Sequence, residues 1–113
     1  MRRWLQDSAF APWAGLWIGV LAWAAHHQLG STLNYLDCER GGRPYVIALG
    51  IACALFAACG GWISWNAAPA KAADGPPPTR LFAARVGAGA AGVFLLAIVM
   101  QTAAGAILPG CLR

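Results

Sequence analysis

The sequence predicts an all-α integral membrane protein, a bundle of three spanning helices that makes a single domain of residues 1–113. Apolar residues make up 59% of the chain and charged residues only 11%, with a mean hydropathy of +0.57, against about 25% charge in an ordinary soluble domain. Three windows, 13–33, 45–65 and 86–108, contain no charged residue. Each is about 20 residues long, the length a helix needs to cross a hydrocarbon layer of roughly 30 Å.

The first helix is expected over about 13–36. It opens with Trp13 and Trp17, and its segment Gly15-Leu16-Trp17-Ile18-Gly19 has two glycines four apart, the spacing that lets helix backbones approach closely in lipid. The second helix is expected over about 44–66. Its Cys53 and Cys59 are six residues apart, about 240° around a helix, so they share no face and form no metal-binding pair; both read as small apolar packing. Residues 67–80 form a linker whose Pro76-Pro77-Pro78 run holds an extended path. The third helix is expected over about 81–108, with a second small-residue stripe of Gly87, Ala88, Ala91 and Gly92.

Basic residues set the expected orientation. Arg2, Arg3, Lys71, Arg80 and Arg85 lie on one side, against Arg40, Arg43 and Arg113 on the other, which makes the N-terminus cytoplasmic and the C-terminus periplasmic. Trp13, Trp17, Trp62 and Trp65 then mark the inner interface, and Tyr35 and Tyr45 the outer one. The preference for Arg over Lys, with abundant Ala and Gly, points to a GC-rich bacterial genome and hence to the bacterial inner membrane. A cleaved signal peptide is the competing reading, since Ala22-Trp23-Ala24 is a small-residue site behind an apolar run, but Asp7 interrupts the basic region. The net charge of +4 is spread over linkers and ends rather than gathered on a face, so lipid headgroups account for it and nucleic acid is not expected as a partner.

With three crossings, Cys38 and Cys111 face the same, oxidising compartment. A Cys38–Cys111 disulfide is expected to tie the outer ends of the first and third helices. By the chain-entropy account such a loop contributes about 4 kcal/mol.

The first helix carries two adjacent histidines, which point about 100° apart. His26 continues the small-residue stripe of Gly15, Gly19, Ala22 and Gly30. His27 continues a polar one through Ser31 and Asn34. Counting back from the outer cysteines puts His27 and Gln101 at one depth, about 15 Å below the expected bridge. A His27–Gln101 hydrogen bond, with Ser31 and Asn34 continuing the seam, is therefore expected to set helix register. Ionisable groups inside a membrane are also candidates for function. His26 or His27 could ligate a haem b, contact a quinone or relay protons; copper would draw on Cys53, Cys59 and Met100 as well. Adjacent histidines on one helix cannot both reach one haem iron, so no cofactor of its own is expected.

No Asp or Glu falls inside any expected span, which argues against a small proton-coupled exporter. Nor is there a phosphate-binding glycine loop or a Ser/His/Asp triad, and no catalytic residue is expected. The segment LAWAAHHQLG, with Cys38 and Cys111, resembles a group of small bacterial membrane proteins encoded beside the subunits of haem-copper terminal oxidases. The resemblance covers Gly19–Gly30 and the two outer cysteines and marks Trp23, His26 or His27, and Gln28. It implies a non-catalytic accessory or assembly subunit of a respiratory complex, with larger membrane subunits and the lipid bilayer as partners. The glycines at 15, 19, 87 and 92 are the expected close-packing positions.

Overall fold

The computed structural model of the chain describes residues 2–36, 43–68 and 79–108. These are helical almost throughout, with no strand among them. A short helix, α1 (Arg2–Asp7), leads through a 3₁₀ turn at Ala11–Trp13 into α2 (Ala14–Leu36), followed by α3 (Arg43–Asn66) and α4 (Thr79–Ile107). Pro12 sits in the first turn of the 3₁₀ segment, where its fixed φ suits the start of a helix. Pro44 does the same for α3.

The three long helices pack pairwise against one another, and small residues set their spacing. A Cβ on Gly15 would strike the carbonyl of Gly87, and one on Gly87 would lie 2.7 Å from Ser64 Oγ. A Cβ on Gly19 would come 2.9 Å from Phe94, and one on Gly60 would come 2.8 Å from Ile18. Missing side chains at these crossings let backbones close to distances no other residue permits. The main core is built accordingly from Ala22, Cys53, Ala57 and Ile98, with Trp23, Leu49 and Leu95 at its margin.

Large apolar side chains lie mostly outside. Leu21, Leu55, Phe56, Trp62, Trp65, Val93 and Leu96 are each about two-thirds exposed. Only 28% of the most apolar stretch of α3, and 11% of that of α4, is buried within the chain. Contiguous apolar surface of this extent marks contact with another protein or with a membrane, and lipid in particular favours small residues between helices. By length and composition α3 and α4 can each cross a membrane. Helix α2 has 23 residues, and with His26, His27, Gln28 and Ser31 among them it is not one of the two helices that pass the same test.

Gly92 faces away from the other helices with Gly89, and a Cβ on either would meet nothing within 4 Å. Five residues advance a helix by about 140°, so Gly87 and Gly92 look in different directions. Cys38 and Cys111, with the expected disulfide, lie outside the described residues, as do most of the Pro-rich linker and the side chain of Asn34.

Two side chains lock the end of the bundle where α1 lies. Ser64, fully buried, accepts a hydrogen bond from the Gly15 N–H (2.7 Å) and donates to the Pro12 carbonyl (3.0 Å). It thereby satisfies one of the donors that the first turn of α2 leaves open. The Arg80 guanidinium donates to the carbonyls of Leu5 (2.6 Å), Ser8 (3.0 Å) and Ala67 (3.2 Å). It joins the ends of α1 and α3 to the start of α4, over a small core of Leu5, Ala11 and Ala67.

The contrast between inward and outward glycines is measurable. Gly87→Ala forces its Cβ against Pro12 and Ser64 and should destabilise the protein by about 1–3 kcal/mol. Gly89→Ala should be neutral or slightly stabilising, by up to about 1 kcal/mol from helix propensity. Unfolding of both variants in detergent, followed by circular dichroism, checks the difference; equal effects would contradict this packing.

Candidate functional site

Apart from Ser64, the polar side chains between the helices gather in one place, between α2 and α4. His26 is 4% exposed, held at the helix interface by the stripe that includes Ala22. Its Nδ1 lies 3.2 Å from Gln101 Oε1, and its Nε2 3.1 Å from Thr102 Oγ1. The Thr102 hydroxyl is also 2.7 Å from the Ile98 carbonyl, one turn back on its own helix. Thr102 reaches this position because Gly50 of α3 has no side chain: a Cβ there would collide with the threonine.

His27 is exposed and approaches the same glutamine from the other side, with Nδ1 3.3 Å from Gln101 Nε2. Its ring stacks on Trp23, one turn earlier, at 5.7 Å between centroids and 14° between planes. Trp23 in turn meets Phe94 of α4 at 6.2 Å. Residues four apart on a helix share a face, so Trp23 and His27 form one aromatic edge. Ser31 continues it, donating its hydroxyl proton to the His27 carbonyl (2.7 Å).

The single Gln101 amide therefore bridges both histidines. The expected His27–Gln101 contact is present, and His26, assigned to a tight crossing, shares the same partner. A glutamine amide has an acceptor end and a donor end, which suits two imidazoles presenting opposite needs. If Nδ1–H of His26 donates to Oε1, the Thr102 hydroxyl donates to His26 Nε2, and the amide donates to His27 Nδ1. His27 then carries its proton on Nε2. With the amide turned over, the Thr102 hydroxyl donates to Ile98, His26 Nε2–H donates to Thr102, and His27 donates from Nδ1, leaving a lone pair on Nε2. Both arrangements satisfy every buried group, and none is unpaired among the described residues. His27 Nε2 is the one imidazole nitrogen of the pair without a partner among the described residues.

His27 lines an open cleft of about 310 Å³, together with Gly30 and Ser31 of α2, Val46 of α3, and Gln101 and Gly105 of α4. No charged side chain lines it. Cys53 packs in the core against Ala22, Ala57 and Ile98, while Cys59 is exposed. Among the described residues no three of His, Cys, Asp or Glu gather as a metal set. His26 has both nitrogens engaged, so a haem iron would find one imidazole here, at His27, where a haem b usually takes two axial ligands.

No protein-family model matches this chain, and neither a curated protein nor a solved structure matches it.

Sequence reasoning missed the structural parts played by Ser64 and Arg80. Arg80 entered only as a positive charge near a helix end. Ser64, between Ile63 and Trp65, stands out as a polar residue in an apolar run, and that was the available signal.

A double-mutant cycle tests the bridge. Coupling between His26→Leu and Gln101→Leu should be about 0.6–1.7 kcal/mol, the range of interhelical hydrogen bonds in membranes. Denaturation of the four proteins by sodium dodecyl sulfate measures it, and additive effects would mean that the bond contributes nothing.

Proposed function

We propose that this chain is a three-span protein of a bacterial inner membrane, N-terminus cytoplasmic and C-terminus periplasmic, acting as a non-catalytic accessory or assembly subunit of a larger respiratory complex. The observation that carries the reading is the outer face of α4. Gly89 and Gly92 stand there with nothing within 4 Å of a Cβ position, among exposed Phe82, Val86, Val93 and Leu96. Glycine within a helix costs about 1 kcal/mol relative to alanine, and lipid gains nothing from it. A helix of another membrane protein does, because it can then approach the backbone closely. The occupant proposed is a spanning helix of a larger subunit.

Resemblance at Gly19–Gly30 makes a haem-copper terminal oxidase the first complex to test. The polar groups agree with a supporting role, since the buried ones are paired with each other or with backbone.

Orientation and the outer bridge are read together by labelling. A membrane-impermeant thiol reagent applied from the periplasm should modify Cys38 and Cys111 only after reduction, and an N-terminal tag should be reached only from the cytoplasm. Modification without reduction would remove the bridge, and a periplasmic tag would reverse the topology.

The partner is tested by purification in mild detergent. Oxidase subunits should accompany the wild-type chain and be lost from a Gly89→Leu/Gly92→Leu variant that still folds. Isolation of the wild-type chain alone, with oxidase assembly and activity intact in its absence, would overturn the proposal.

A further inference from the structure

The cleft beside His27 has the features of a binding site in its own right. Its volume of about 310 Å³ is at the low end of the roughly 300–1,000 Å³ typical of small-molecule sites, room for one substituted ring. Glycines keep it open: a Cβ on Gly30 would meet nothing within 4 Å, whereas one on Gly105 would stand 3.2 Å from Val46. One wall is apolar, from Val46, Gly105 and Leu108; the other carries His27, Ser31 and Gln101.

Depth and charge narrow the ligand. His27 lies nine residues before the end of α2, about 14 Å at 1.5 Å per residue. In the spanning reading of α2, on which this inference rests, the cleft runs from that depth up to the helix ends, where Val46 and Leu108 line it. With no charged group on its walls, it favours a neutral, lipid-soluble molecule.

The hydrogen-bonding edge narrows it further. His27 Nε2 is a donor when the Gln101 amide points its oxygen at His26, and an acceptor when the amide is turned over. Each state leaves the buried partners of His26 satisfied, so the switch strands no polar group in the interior. Few ligands call for both. A ring that carries a carbonyl in one oxidation state and a hydroxyl in the other does so: the carbonyl accepts from Nε2–H, and the hydroxyl donates to the bare nitrogen. Ser31, its proton committed to the His27 carbonyl, offers lone pairs to a hydroxyl in the same cleft.

We infer that this cleft binds the head of a lipid-soluble quinone or quinol through His27 Nε2, with Gln101 setting which hydrogen-bonding role that nitrogen takes. Trp23, stacked on His27, lies close enough for a bound quinone to quench its emission.

The test uses the full chain in lipid nanodiscs, titrated with a short-tailed ubiquinone analogue and separately with its quinol. The Trp23 signal is taken as the difference between wild type and Trp23→Phe. Quenching by the quinone should saturate, and the quinol should displace it. Gly30→Leu, whose Cβ would meet nothing within 4 Å, should abolish saturable quenching in a protein whose thermal stability is that of the wild type. Gln101→Leu should weaken binding about tenfold, the loss of one hydrogen bond to a poised edge. Quenching that rises linearly with quinone and is the same in Gly30→Leu would overturn the inference. So would an alkylbenzene of equal tail length competing as well as the quinone, since the polar edge would then recognise nothing. Neither outcome depends on whether an oxidase partner is found.

Discussion

Polar groups buried between packed helices must be paired with one another, because no water is there to do it. In this chain that constraint falls on the Gln101 amide. It meets one imidazole with its oxygen and another with its nitrogen, and Thr102 completes His26 from the other side. Slide α4 by one turn against α2, about 5.4 Å, and both histidines lose their partner together. The register of the two helices follows from that shared penalty more than from the modest strength of each bond.

The opposite end is held by a different device. There the unsatisfied groups belong to the backbone, at the start of α2 and the ends of α1 and α3. Ser64 and Arg80 answer them with side chains from other helices. Arg80 is well suited, because its guanidinium offers several donors in one plane and so can serve three carbonyls from two segments. Polar bonds thus fasten the bundle at two levels, and the stretch between them relies on close contact of glycine and alanine.

The helices were legible in the sequence because their length is a matter of composition, and charge-free windows of membrane-spanning length leave few alternatives. Counting residues back from Cys38 and Cys111 set His27 opposite Gln101, and the two side chains meet at 3.3 Å. Rotation about the helix axis was not legible. It separates Gly87, at a crossing, from Gly92, on the outer face, and it brings His26 to the same glutamine as His27 although they point about 100° apart. A glutamine side chain is long enough to span that difference, which a face-by-face reading does not capture. Helix α1 was also missed. Six residues give no periodic stripe, and its place depends on Arg80, more than seventy residues away.

The two sets of glycines separate what the chain does for itself from what it offers to others. Gly15, Gly19, Gly60 and Gly87 are filled by neighbouring backbone and side chains of the same chain, so their smallness is accounted for by the fold. Gly30, Gly89 and Gly92 are not, and a bundle that only had to fold would gain stability by replacing them. Their positions differ in kind. Gly89 and Gly92 lie on a convex helix face among large apolar side chains, a shape that suits another helix. Gly30 opens a concave space beside a histidine with one free nitrogen, a shape that suits a small ring. The same residue type therefore serves two distinct contacts, and because the faces lie on different helices, each can be closed by substitution without disturbing the other.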